Sequence, residues 1–280
     1  MYKKNEGVKR RVAKSWRSSN SGVLPESCHC SPPLSCVSIL PMSKPVPYIA
    51  DHLRRVLING ASAPHTAEVQ HFFREEVQSR GWYTDELRKL ARRFTRVIRG
   101  EESLDYLVQV ADNLFNGDML EEKILAVLLL EPCVDEFNSA HFKLFEQWLD
   151  RVSTWADHDA LMQYIIGHMI VADPRRLQRV FVWSRSKNRW RRRASAVALL
   201  RGTNQGLFWD EVQQITGALL EDEDDMVQKG LAWLLRETAR YDGARTMPLL
   251  MSIRTRAPRL VLRTACERLS AEDRARVLAG

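Results

Sequence analysis

From Val46 onward, apolar residues recur three and four positions apart almost without interruption. The pattern is clear over residues 49–58, 69–77, 84–98, 105–114, 121–130, 142–152, 161–171, 177–183, 190–200, 209–220, 227–240, 246–254 and 259–269. That spacing puts the apolar side chains on one face of an α-helix, so each stretch predicts an amphipathic helix. Breaking and capping residues separate the stretches: Thr84 before Asp85-Glu86, Asp173-Pro174, Gly202 to Gly206, and Asp242-Gly243. No run alternates as a strand would. The expected fold is all-α, and short helices joined by short loops predict an α-solenoid of HEAT-like helix pairs with a concave binding face. The repeat lies in helix length rather than in the residues, and such a scaffold serves peptide binding as readily as catalysis.

Composition narrows this. The chain has 280 residues, 45% hydrophobic and 28% charged, which is globular. Its longest apolar runs, at 124–130 and 164–172, fall far short of the about 18 residues of a membrane span. Residues 1–45 carry eight basic side chains against two acidic ones, so they hold six of the seven net positive charges. This segment is rich in Ser and Pro and lacks apolar periodicity, so it reads as a disordered basic leader, with Met42 as an alternative start. Residues 46–280 form the expected domain, and because it is close to neutral, any anion-binding surface there comes from local clustering. Of the five cysteines, Cys28, Cys30 and Cys36 lie in the leader beside His29, while Cys133 and Cys266 stand alone. An odd, scattered set reads as free thiols of a reducing cytoplasm rather than a disulfide framework or a metal site.

Three segments could carry chemistry. In Ser153-Thr154-Trp155-Ala156-Asp157-His158-Asp159, a helix would bring Trp155 and Asp159 onto one face, an indole beside a carboxylate, while Asp157 would serve as a helix-start acid. A capped helix with an ordinary core tryptophan satisfies the same spacing. From Arg185 to Arg193, six of nine residues are basic, and Lys187, Arg189, Trp190 and Arg193 are candidate DNA contacts. Positive charge at a helix start opposes the macrodipole, so phosphate binding explains it better than local stability does; a solvated basic face is the alternative. Third, the acids from Glu221 to Asp225 precede a helix carrying Gly230, Trp233 and Arg236. Acids on consecutive residues seldom converge on one ion, so no metal is expected there, and Gly230 in a helix interior points to close packing. His158 and His168 lack a third ligand and read as polar-face or packing residues.

Taken in order, these segments resemble the DNA alkylation-repair glycosylases of the AlkD type, in the HEAT-like repeat superfamily, over about residues 46–270. The resemblance includes Gly81-Trp82-Tyr83-Thr84-Asp85-Glu86-Leu87-Arg88, similar to the family's G-[IV]-x-T-P-E-x-R element with Asp85 where proline is usual. Glu121-Glu122-Lys123, Trp155-x-x-x-Asp159, Asn188-x-Trp190-x-x-Arg193-Ala194 and Trp233-Leu234-Leu235-Arg236-Glu237 follow. The resemblance implies a catalytic carboxylate at Asp159, stacking tryptophans at Trp155 and Trp233, a phosphate-gripping arginine at Arg193 and a further backbone contact at Arg236.

It also implies a metal-independent, cofactor-free monofunctional glycosylase that excises cationic alkylated purines such as N3-methyladenine and N7-methylguanine from double-stranded DNA, in base excision repair. The lesion would be read through its backbone, with the base left in the duplex. Such a purine leaves as a neutral base, so a fixed carboxylate facing an oxocarbenium-like sugar suffices. A cytoplasmic monomer is expected. The rival reading is a non-catalytic HEAT-like solenoid that binds DNA or a protein partner.

Overall fold

A computed structural model describes residues 44–279. Residues 1–43 of the basic leader, with Cys28, His29, Cys30, Cys36 and Met42, lie outside the described residues.

The described residues are helical and contain no strand. The helices are α1 (Val46–Asn59), α2 (Ala63–Gln70), α3 (Thr84–Glu101), α4 (Leu104–Phe115), α5 (Leu120–Leu130), α6 (Ser139–Trp148), α7 (Trp155–Leu161) and α8 (Gly167–Ala172). They continue with α9 (Leu177–Trp183), α10 (Arg189–Val197), α11 (Leu200–Thr203), α12 (Trp209–Leu219), α13 (Asp225–Tyr241), α14 (Gly243–Ile253), α15 (Arg259–Ala265) and α16 (Ala271–Leu278). Short 3-10 turns follow α5, α8 and α15.

Packing follows a repeat. Helices α3, α5, α7, α10, α13 and α15 each pack against the next and form one row; α4, α9, α12 and α14 pack onto that row from the side. One contiguous apolar cluster runs between the rows from Ile49 to Val277. Helix α5 is buried on every side, charged residues included, which is why its sequence reads as an unbroken apolar run rather than as one face. No helix of the described residues is long and apolar enough to cross a membrane.

Two departures from the predicted helices bear on function. The apolar spacing over 69–77 predicts a helix there, but α2 begins earlier, behind Ser62 with Pro64 in its first turn, and ends at Gln70. The Gln70 side chain donates to the Glu75 carbonyl and accepts from the Val77 amide, which turns the chain away from helical bonding. Residues 71–83 therefore run as a strap. Further on, helical structure is continuous from Trp155 to Ala172 but passes through a π-helical turn at Met162–Ile166. The extra residue of a π turn shifts which side chains face the core, and such turns concentrate at functional sites.

Candidate active site

The row of stacked helices brings the sequence-predicted residues together. Asp159 and Trp155 stand one turn apart on α7, Arg193 lies on α10, and Trp233 and Arg236 lie on α13, three consecutive members of the row.

Helix α7 is anchored before it begins. Thr154 Oγ1 accepts from the Ala156 and Asp157 amides, and Asp157 accepts in return from the Thr154 and Ser153 amides at 2.7 and 2.8 Å, a capping box that accounts for Asp157 as a helix-start acid. The buried Lys123 ammonium donates to the Arg151 carbonyl and to Ser153 Oγ and lies 3.8 Å from Asp157, so α5 fixes the entry to α7. At the other end of the α7 segment, Arg88 donates to the Tyr164 hydroxyl within the π turn (2.6 Å) and to Glu131 (2.9 Å).

Asp159 is 7% exposed and fully engaged. Arg193 grips it with two bonds, Nε to Oδ1 at 3.0 Å and Nη2 to Oδ2 at 2.7 Å. The third Arg193 nitrogen, Nη1, donates to the Met226 carbonyl at 2.6 Å. His158, set aside by the sequence reading as a packing residue, is instead a partner of Asp159, with Nδ1 2.7 Å from Oδ1. Burial by itself would raise the Asp159 pKa, but the Arg193 charge and the His158 hydrogen bond outweigh it and hold the carboxyl below its ordinary range. His158 has no exposed surface, and that burial lowers its pKa, offset only in part by Asp159. Both ring nitrogens face acceptors, Nδ1 the Asp159 carboxylate and Nε2 the Trp190 carbonyl at 3.1 Å. His168 is unrelated to this cluster: burial and the Arg201 charge push its pKa down to about 4.

Gly230 makes the α10–α13 approach possible. A β-carbon there would meet Arg193 Cγ at 3.1 Å, so the glycine is the close packing its sequence position suggested. Trp233 follows one turn later on α13, partly exposed like Trp155, and both rest against the core.

The basic run from Arg185 to Arg193 is neither a bare phosphate-binding patch nor a solvated face. Arg192 pairs with Asp222 at 2.6 Å, Arg191 with Asp150 at 2.7 Å, and Arg189 with Glu75 at 3.2 Å and Asp224 at 3.6 Å. The acidic run 221–225 thus answers the basic one: Asp222 and Asp224 take Arg192 and Arg189, Asp225 takes Lys229 and Arg74, and Glu221 takes Arg256. Among the described residues no group of His, Cys, Asp and Glu converges as metal ligands. Lys187 and Arg185 are exposed and make no ion pair among the described residues. Trp190 is 9% exposed, with the Arg189 guanidinium 4.8 Å above its ring and the His158 ring 5.6 Å away. That indole thus packs between the Arg189 guanidinium and the His158 ring. Arg236 is paired with Glu237 at 2.9 Å and with Glu267 at 3.4 Å.

Sequence reasoning missed the strap. Phe73 stacks on Trp155 with ring centroids 5.2 Å apart, Arg74 pairs with Asp225 and Glu75 with Arg189, so consecutive residues reach α7, α13 and α10. The far end of the strap is fastened by Glu121, which accepts from Ser79 Oγ (2.6 Å) and from the Arg80 and Gly81 amides (2.8 and 3.0 Å). Gly81 has φ +72°, and a β-carbon there would lie 2.3 Å from the Ser62 carbonyl, so only glycine fits. The signal lay in the paired Phe72-Phe73 outside any capped helix.

Residues 53–269 match the sequence profile described as DNA alkylation repair enzyme. No curated protein matches the chain. Among solved structures, the chain is similar to a predicted DNA alkylation repair enzyme from Enterococcus faecalis, with 16% identity and a TM-score of 0.68 over 75% of this chain and 97% of that one. It is similar as well to AlkD2 from Streptococcus mutans, with 17% identity and a TM-score of 0.54 over 74% and 99% of the respective chains. Likeness at these identities establishes a shared helical-repeat fold.

Proposed function

The chain belongs to the DNA alkylation repair enzyme family, and on that premise we propose that it is a DNA glycosylase, hydrolysing the N-glycosidic bond of cationic alkylated purines in duplex DNA with Asp159 as the catalytic carboxylate. The observation that carries this reading is a buried carboxylate gripped at two points by Arg193 and held below its ordinary pKa, with Trp155 one turn away on its own helix and Trp233 on α13, the helix packed against α10.

An N3- or N7-alkylated purine already bears positive charge and departs neutral, so the leaving group needs no strong acid. The sugar left behind develops oxocarbenium character. Asp159, in a site of low dielectric, stabilises that charge and orients the attacking water. The partly exposed indoles of Trp155 and Trp233 suit a cationic deoxyribose, which an indole attracts through its π face, Trp155 once Phe73 gives up its stack on that ring. In this reading Arg193 exchanges part of its grip on Asp159 for a DNA phosphate, and Arg236 and the exposed Lys187 contact the backbone on either side. Arg189 is already tied to Glu75 and Asp224, so its contact requires the strap to loosen.

The test is release of N7-methylguanine from methylated duplex DNA, without added metal, by the wild type and by Asp159→Asn. The expected outcome is release by the wild type and a loss of about 10²- to 10⁴-fold in single-turnover rate for the variant, with DNA binding retained. Binding without release by the wild type favours a non-catalytic DNA-binding solenoid, and absence of both favours a protein-binding one.

A further inference from the structure

The Asp159 carboxylate accepts three hydrogen bonds, all from side chains: Arg193 Nε and His158 Nδ1 on Oδ1, and Arg193 Nη2 on Oδ2. The two Arg193 nitrogens that hold Asp159 form one edge of the guanidinium, and the remaining one is held by the Met226 carbonyl. A planar fork presents each edge to one anion at a time. Arg193 therefore cannot keep its two-point grip on Asp159 while gripping a phosphate through the same edge.

His158 cannot leave in the same way. It is adjacent to Asp159 in the chain, wholly buried, and confined between the carboxylate and the Trp190 main chain, whose carbonyl lies 3.1 Å from Nε2. Asp157 cannot take its place, because both its oxygens are engaged by the helix cap.

Resting on the reading of Asp159 as the catalytic carboxylate, we propose that His158 is the positioning residue for that carboxylate: it pins Oδ1 when Arg193 turns to a phosphate and leaves Oδ2 free to face the sugar. The ring is held at both ends, Nδ1 by the carboxylate and Nε2 by the Trp190 carbonyl, so it orients Oδ1 without moving itself.

His158→Leu fills the space without a donor. His158→Asn restores an N–H that reaches Asp159 but not the Trp190 carbonyl. In single-turnover release of N7-methylguanine, Leu is expected to lower the rate about 10- to 100-fold, the equivalent of one hydrogen bond to a charged group. Duplex affinity stays unchanged, and Asn recovers most of the rate. A carbon-13 NMR titration of the Asp159 carboxyl in the DNA-free protein is independent of activity: Leu raises its pKa, and Asn leaves it near the wild-type value. A Leu variant as fast as the wild type, or an Asn variant as slow as Leu with both folded, overturns the proposal and makes His158 a packing residue. A wild type that releases no base overturns the glycosylase reading alone, because the carboxyl titration then still reads whether His158 holds Asp159.

Discussion

Two buried charged clusters lie close together in this molecule and behave oppositely. Glu121, Glu122 and Lys123 open α5, and His158, Asp159 and Arg193 join α7 to α10; every one of these six residues is at most 7% exposed. The first cluster is fastened to main chain: Glu121 by the Arg80 and Gly81 amides, Lys123 by the Arg151 carbonyl. Glu122 adds Arg54 at 3.1 Å and Arg80 at 2.7 Å. In the second cluster the carboxylate is held by side chains alone. A charge neutralised by backbone groups gives way only when the chain itself moves, whereas one neutralised by side chains can trade partners by a change of rotamer. Glu121 and Lys123 therefore belong to the fold, whereas the Asp159 carboxylate can trade partners.

The largest effect expected from this contrast is on stability. Glu121→Ala leaves the amides that fasten the strap without an acceptor inside the protein and should cost about 1–3 kcal/mol for each stranded amide, read as a lower urea midpoint. The folded fraction should excise at the wild-type rate. An unchanged midpoint would show that the backbone bonds of Glu121 do not hold the strap.

Arg193→Ala probes the exchangeable cluster, and its main effects should be on binding and pH. The slope of log Kd against log salt should shrink by about one, uniformly across DNA sequences. Arg193 is the largest influence lowering the Asp159 pKa, so its removal raises that pKa, and the variant should lose activity as the medium is acidified while the wild type, with its carboxyl held below the ordinary range, stays level. A salt slope equal to the wild type's would break the assignment of Arg193 to a phosphate.

The smallest effect is expected at the strap tip. Arg74 and Glu75 are exposed, so their pairs with Asp225 and Arg189 should contribute less than about 1 kcal/mol each. Arg74→Ala with Glu75→Ala should hardly change the melting temperature, and should tighten duplex binding slightly by freeing Arg189. Weaker binding would place these residues on the DNA instead.

The sequence by itself determined the helical elements and most of the candidate residues. Helix formation follows from apolar residues repeating with the helical period, a local property, and the order of the Trp155, Asp159, Arg193 and Trp233 motifs survives along the chain whatever the packing. Even the glycine at 230 announced a close approach. Where local reasoning failed, a non-local partner was responsible. Residues 69–77 have helical spacing, yet Phe73 finds its aromatic neighbour at Trp155, and the chain ends its helix to reach it. The basic run looked like a free anion site because its counter-charges lie far off in sequence, Asp222 thirty residues from Arg192 and Glu75 114 residues from Arg189. His158 looked like packing for the same reason: only the meeting of α7 with α10 sets its ring between a carboxylate and a distant carbonyl. Apolar burial has a period that the chain displays, but charge pairing has none. Which ions meet is decided when the helices stack, and here that step joined Asp159 to Arg193 and packed α13 beside them.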